Sequence, residues 1–137
     1  MIKVLIADDH AIVRDILRFL LDSADDIQVL AMASNGQEAV AQAALHCPDV
    51  AVIDVSMPTM DGVEATKKIC AHCPHTRILM ISMRNKWDYV QTSLRAGASG
   101  YVLKDDAAHD LITAVRSLHQ GKRYFSKQIS DIAKRFL

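Results

Sequence analysis

Along the chain, short apolar runs alternate with longer stretches in which apolar residues return every three or four positions. That alternation of strands with helices builds a parallel sheet. Strands are expected at Lys3 to Ala7, Ile27 to Ala31, Val50 to Ile53, Ile78 to Ser82 and Gly100 to Leu103. The first, third and fourth are apolar nearly throughout, as strands covered by helices on both faces are, which places them in the middle. Between the strands, Ile12, Ile16, Phe19 and Leu20 keep helical spacing, as do Trp87, Val90 and Leu94, then Leu111, Val115 and Leu118. Asn35 with Glu38 and Asp61 with Glu64 mark two helix starts, each pairing an N-cap oxygen with an acid three residues on. Pro48 and Pro74 end helices ahead of the third and fourth strands. After Gly121 a last helix starts at Ser126, with Ile129, Ile132, Ala133 and Phe136 on one side. It lies outside the five strand–helix units, so it either packs back on them or leads into a further segment.

A chain of 137 residues is one ordinary domain, and with 50% hydrophobic and 23% charged residues it can form a core without metal or disulfide staples. Disordered, collagenous and cysteine-framework classes are excluded. Runs such as Val50 to Ile53 fall far short of the roughly 18 to 20 apolar residues that span a bilayer, so a soluble domain with no membrane partner is expected. The start, Met1-Ile2-Lys3-Val4, enters a strand at once, without the basic and long apolar stretches of a secretory leader. Three cysteines fit reduced thiols in a cytoplasmic protein better than disulfides. The Cys70-Ala71-His72-Cys73 segment lacks a second ligand pair at zinc-finger spacing and reads as structural. His46-Cys47-Pro48 is echoed 26 residues later by His72-Cys73-Pro74, too little for a repeat array. The zero net charge hides an asymmetry: residues 1 to 64 carry 3 Lys/Arg against 11 Asp/Glu, and residues 65 to 137 carry 13 against 5, so the halves are −8 and +8. An acidic site early and a basic surface later follow.

Ligands of open parallel sheets bind beyond the carboxyl ends of the strands. There the first strand is followed by Asp8-Asp9, the third by Asp54 and the fifth by Lys104, while the fourth ends in Ser82. Any one of these could be a turn former. Five polar residues from four strands at equivalent positions make coincidence a poor account. Three carboxylates gathered in one place repel unless a cation shares the site, and hard oxygen ligands with room for water and phosphate select Mg²⁺. Lys104 can reach a carboxylate or phosphate as a point charge, and Ser82 offers a hydroxyl. Such a set suits phosphoryl transfer, with one carboxylate as the nucleophile that forms an acyl phosphate. His10, next to the acidic pair, reads as a solvent-facing loop residue that could tune the pocket.

These residues carry a resemblance. Val4-Leu5-Ile6-Ala7-Asp8-Asp9-His10, the run from Asp54 to Gly62, Ile81-Ser82 and the run from Ala96 to Lys104 together resemble the receiver domain of two-component response regulators, from Ile2 to about Gly121. The resemblance implies a flavodoxin-like, doubly wound α/β fold: a five-stranded parallel sheet in the order 2-1-3-4-5 with helices on both faces. It implies that Asp54 accepts a phosphoryl group from a histidine kinase and that Asp8, Asp9 and Asp54, with the Ser56 backbone carbonyl, hold Mg²⁺. Ser82 and Lys104 would contact the phosphoryl group, and Tyr101 would act with Ser82 as the switch. Such a domain catalyses only its own phosphoryl transfer and dephosphorylation.

The segments 96 to 105 and 121 to 137 look most like the NarL/FixJ (LuxR-type) subfamily, whose members carry a C-terminal helix-turn-helix. The expected organisation is a receiver at 1–121 and a linker helix at 122–137 leading toward a DNA-binding domain that this chain lacks. Transcription is then the output and DNA a partner only through the missing part. Arg84, Lys86, Arg95 and Arg116 mark a candidate surface on helix four, strand five and helix five for a phosphorylation-dependent homodimer, with helices one and five as the alternative. Asp105 stands where many receivers have Pro, so a trans Lys104–Asp105 bond is expected, with Asp105 or Asp106 capping the next helix. A haloacid-dehalogenase-like phosphohydrolase would need a second acid two residues after the nucleophile, and position 56 is Ser. An FMN binder would need a hydroxyl-rich loop where Asp8 and Asp9 stand.

Overall fold

The computed structural model describes residues 1–136, of Phe136 the backbone only. Leu137 and the expected apolar contact of the Phe136 side chain lie outside the described residues. Six strands, β1 (Ile2–Ala7), β2 (Ile27–Ala33), β3 (Val50–Asp54), β4 (Arg77–Ser82), β5 (Gly100–Leu103) and β6 (Tyr124–Phe125), form one parallel sheet in the order β2-β1-β3-β4-β5-β6. This is the flavodoxin-like fold with one strand more than expected. A two-residue strand carries no periodicity, so β6 left no mark in the sequence pattern.

Six helices accompany the sheet: α1 (Ala11–Asp22), α2 (Gly36–His46), α3 (Gly62–His72), α4 (Trp87–Ala96), α5 (Ala107–His119) and α6 (Lys127–Phe136). None is long and apolar enough to cross a membrane. Two apolar cores lie on the two faces of the sheet. Val4, Ile6, Val52 and Ile81 meet α1 and α5 on one, and Leu5, Ala51, Ile53 and Met80 meet α2, α3 and α4 on the other. Because successive strand residues point to opposite faces, β1, β3 and β4 had to be apolar on both, as they are.

Both helix starts form as expected. Asn35 Oδ1 accepts from the Glu38 N–H at 2.8 Å, and Asp61 Oδ1 from the Glu64 N–H at 2.8 Å. Helices α2 and α3 stop two residues short of Pro48 and Pro74. Helix α6 packs back on the domain, burying Ile129 and Ala133 beside α4 and β5.

The helical spacing of α1 holds, and of its stripe Leu20 packs on the core while Ile12, Ile16 and Phe19 face outward, Ile12 and Phe19 each 75% exposed. The helix buries Leu17 and Leu21 instead, because spacing defines a stripe but not which stripe meets the sheet. Asp106 takes the N-cap position of α5 but its side chain makes no cap hydrogen bond: a 3-10 turn over Lys104–Asp106 runs straight into the helix, and the Ala107 N–H bonds the Lys104 carbonyl. The cysteines are not all free, since Cys47 and Cys73 are joined as a disulfide and only Cys70 stands apart.

Candidate functional site

The site is assembled by chain geometry at the carboxyl edge of the sheet. Beyond β1, the Asp8 N–H bonds the Ala33 carbonyl of β2 at 3.1 Å, continuing the sheet by one residue. The chain then turns sharply, with the His10 N–H on Asp8 Oδ1 at 2.9 Å and the Arg14 guanidinium on the Asp8 carbonyl at 2.8 Å. Asp8 is thereby fixed and wholly buried. Asp54 ends β3 in register with Ile81. The loop after it folds back, the Gly62 N–H bonding the Val55 carbonyl at 2.8 Å, so that α3 starts directly behind Asp54. A Cβ at position 62 would collide with the Asp54 carbonyl oxygen, which is why Gly stands there.

Lys104, the first residue after β5, reaches across the sheet edge. Its Nζ lies 2.8 Å from Asp8 Oδ2 and 3.0 Å from Asp54 Oδ2. Asp54 Oδ1 accepts the Ser56 N–H at 3.2 Å. Burial pushes the Asp54 carboxyl above its ordinary pKa; the Lys104 bond opposes this and the neighbouring Asp8 charge adds to it. Burial alone would pull Lys104 down, but its contacts with Asp8 and Asp54 outweigh that and hold it raised. Lys104 is therefore the cation that makes this acidic corner tolerable.

It leaves oxygens to spare. Buried Asp8 Oδ2 has the ammonium close by but no directed hydrogen bond, and Asp9 Oδ1 has none either. One ligand atom from each of Asp8, Asp9, His10 and Asp54 lies within 4.8 Å of the others. Under-satisfied carboxylate oxygens in such a cluster fit a small hard cation. The imidazole is the addition to the expected set. His10 Nδ1 sits 3.1 Å from Asp9 Oδ1 and 3.4 Å from Asp8 Oδ1 on a largely exposed side chain, facing both solvent and the pocket rim.

A cavity of about 250 Å³ opens here, lined by His10, Asp54, Ser56, Ser82, Met83, Arg84 and Lys104. A larger one of about 430 Å³, between the start of α3 and α4, is mostly apolar and lacks the lysine and the carboxylate cluster, so the chemistry belongs to the smaller.

Ser82 and Tyr101 converge on the main chain of one residue, Arg84, which the sequence marked only for its surface charge. Ser82 Oγ accepts the Arg84 N–H at 2.9 Å, and the buried Tyr101 hydroxyl donates to the Arg84 carbonyl at 2.7 Å. Burial raises the pKa of the Tyr101 phenol and keeps it a donor. The Arg84 guanidinium lies over the Tyr89 ring at 5.4 Å. The loop after β4 is thus held through both ends of a single residue. The peptide bonds among the described residues are all trans, that of Lys104–Asp105 included.

Residues 4–116 match the response regulator receiver domain family. Among curated proteins the chain is similar to the oxygen regulatory protein NreC of Staphylococcus epidermidis, 39% identical over 129 residues. That match covers 93% of this chain and 59% of NreC. It is also similar to the response regulator GacA of Pseudomonas syringae pv. syringae, 35% identical over 131 residues covering 96% of this chain and 61% of that one. The chain thus spans about three-fifths of the length of these relatives. Among solved structures, a LuxR-family two-component response regulator from Aurantimonas superposes with a TM-score of 0.92 at 31% identity, covering 98% of both chains. The isolated receiver (REC) domain of RcsB from Salmonella enterica serovar Typhimurium, solved with a phosphomimetic, gives 0.87 at 28% identity, covering 95% of this chain and 96% of that one.

Proposed function

This chain belongs to the response regulator receiver domain family, and on that premise we propose that Asp54 is its phosphoacceptor, charged by a histidine kinase. Its resemblance to NarL- and LuxR-type regulators makes it a signalling domain of transcription control rather than a classical enzyme. The observation that carries the residue assignment is the Lys104 ammonium shared between Asp8 and Asp54 at the mouth of the cavity. An Asp54 oxygen attacks the phosphorus of the kinase's phosphohistidine, the P–N bond breaks, and the imidazole leaves neutral, keeping the proton already on its other ring nitrogen. Lys104 exchanges its Asp54 contact for a phosphoryl oxygen while keeping Asp8. Asp8, Asp9 and Asp54, with the Ser56 carbonyl, would hold Mg²⁺, which when bound supplies neutralisation of the phosphoryl charge. Slow hydrolysis of the acyl phosphate at the same site returns the domain to rest.

Output follows from Arg84. A dianionic phosphoryl group draws the Ser82 hydroxyl inward, the Arg84 N–H loses its acceptor, and the loop from Met83 to Lys86 is released at one of its two ties. Residues 122–136 carry the change toward a DNA-binding output domain beyond this chain. A phosphorylation-dependent dimer would use the basic residues Arg84, Lys86 and Arg95 around α4; Arg116 already pairs with Asp26 through two hydrogen bonds. The domain and its kinase would then meet in the cytoplasm.

Intact mass after incubation with Mg²⁺ and acetyl phosphate tests the chemistry. Wild type should gain one phosphoryl mass and Asp54→Asn none. Full labelling of that variant would move the nucleophile elsewhere.

A further inference from the structure

The echoed motifs His46-Cys47-Pro48 and His72-Cys73-Pro74 sit at the same place in consecutive strand–helix units, just past the ends of α2 and α3, at the edge of the sheet opposite Asp54. Because α2 and α3 are neighbours, the repeat brings the two cysteines together, with Cα atoms 5.8 Å apart, well inside the span a disulfide bridges. The approach does not depend on the sulfurs. The Thr76 hydroxyl donates to the Pro48 carbonyl at 2.6 Å, and the Arg77 N–H to the Asp49 carbonyl at 2.9 Å, so backbone and side-chain bonds already fasten one turn to the other. Cys47 is exposed and Cys73 buried beneath it. Cys47 also holds a left-handed backbone, φ 39°, at a helix-end position that favours Gly or Asn. Backbone preference does not explain a cysteine there; its partner does. The thiol state is accommodated as well, since Cys73 Sγ lies 3.4 Å from the Ala43 carbonyl, an acceptor for its S–H.

We propose that Cys47 and Cys73 form a reversible redox pair that exchanges with low-molecular-weight disulfides and staples α2 to α3 when oxidised. The accessible Cys47 thiolate attacks one sulfur of the small disulfide, forming a mixed disulfide and releasing one small thiol. Cys73, losing its proton, then attacks Cys47 sulfur and expels the second thiol. Two protein thiols are oxidised to one disulfide, and one small disulfide is reduced to two thiols. A paired, exchangeable disulfide is the form cytoplasmic disulfides usually take. Cys70 is a built-in control. It follows the sequence pattern Cys-x-x-Cys with Cys73, yet its sulfur turns to the Gly97 carbonyl at 3.9 Å, on the side facing α4.

The test uses the whole chain, reduced and then exposed to glutathione disulfide, with remaining thiols alkylated after denaturation and counted by mass. Wild type should fall from three alkylations to one, with Cys47 linked to Cys73 in the peptide map. Cys70→Ser should fall from two to none. Cys47→Ser should keep both of its thiols alkylatable, because Cys73 is shielded. Closing a loop of 26 residues should raise the midpoint of thermal unfolding by about 10 °C, reversibly on adding excess thiol. Three alkylations in oxidised wild type, a Cys47–glutathione adduct that persists unresolved, or a link involving Cys70 would each overturn the proposal. None of these readouts depends on phosphorylation.

Discussion

Replacing Lys104 with Met keeps most of the stem and removes only the charge that Asp8 and Asp54 share. Both carboxylates are buried, at 0% and 4% exposure, so water from the adjoining cavity replaces the ammonium only in part. Ligand atoms of the acidic cluster lie within 4.8 Å of one another. With an effective dielectric constant near 20, two carboxylates at that distance repel by about 3.5 kcal/mol, and more if closer. Removing one partner from a buried pair costs about 3 to 5 kcal/mol, in the same range. Asp54 has a partial escape, because burial has already raised its pKa and loss of Lys104 raises it further; taking up a proton relieves the repulsion at about 1.4 kcal/mol per pH unit. The net loss at pH 7.5 is therefore about 3 kcal/mol. For 137 residues that lowers the unfolding midpoint by about 10 °C.

The sign with pH follows from the direction of the shift. A carboxyl whose folded-state pKa is raised contributes stability at low pH that is lost as pH rises, so the Lys104→Met deficit should shrink at pH 5.5 and be largest at pH 7.5. Mg²⁺ should raise the midpoint of the variant more than that of wild type, whose lysine already offsets part of the charge. Thermal unfolding followed by circular dichroism, at both pH values and with and without Mg²⁺, reads all of this. A variant within about 2 °C of wild type at pH 7.5, or a deficit that grows in acid, would refute the assignment of Lys104 as the charge that holds the corner together.

Gly62→Ala should destabilise the fold by about 2 to 3 kcal/mol and slow phosphorylation together, since its Cβ meets the Asp54 carbonyl, which is backbone and cannot yield; chemical denaturation beside mass labelling checks both. Tyr124, whose hydroxyl donates to Asp110 at 2.7 Å, has its pKa pushed up to about 12 by burial and by Asp110. Its neutral form is the stabilised one, so wild type should lose stability relative to Tyr124→Phe as pH climbs from 10 to 12 and keep its advantage below 10, as urea midpoints would show. Ser126→Ala should leave phosphorylation of Asp54 intact while removing the phosphorylation-linked change in amide exchange over residues 127 to 136; an undiminished change would free α6 from the strand it leans on.

The central strands were legible as apolar runs and the polar residues at the carboxyl edge of the sheet because they interrupt those runs, while the strand order came with the resemblance to receiver domains. Asp8, Asp54, Ser82 and Lys104 each stand where an apolar strand stops, and the parallel fold brings such positions together whatever the loops do. Spacing says less about faces. The α1 positions Ile12, Ile16 and Phe19 obey the helical period as well as Leu17 and Leu21 do, and only the docking angle of the helix decides which set is covered. The meeting of Ser82 and Tyr101 on Arg84 was hidden because it passes through main-chain atoms of a loop, which any residue type could supply. The Cys47–Cys73 approach was written in the motif echo, yet composition argued for free thiols. A spacing of 26 residues has no meaning until α2 and α3 are known to be neighbours.

The route by which the acidic corner could speak to the end of the chain is short. Lys104 is ion-paired with Asp8, hydrogen-bonded to Asp54 and follows directly on β5, so a shift of its ammonium pulls on the end of that strand. On its free edge β5 carries only the two residues of β6, and beyond them one side chain closes the ladder: the Ser126 N–H donates to the Tyr101 carbonyl at 3.1 Å, and Ser126 Oγ accepts the Leu103 N–H at 2.9 Å. Ser126 thus stands where a third strand residue would, and also starts α6, whose Ser130 N–H bonds its carbonyl at 2.8 Å. Ile129, one turn along, is buried in the same core as Tyr101, Val90 and Leu103. A two-residue edge strand with one hydroxyl in the ladder has few bonds to lose, and the helix it leads into rests on two buried apolar side chains among the described residues, Ile129 and Ala133. Such an attachment is firm enough to hold α6 at rest. It is also weak enough for a change in charge on the opposite side of β5 to shift it, since one hydrogen bond with its burial is worth only about 1 to 3 kcal/mol.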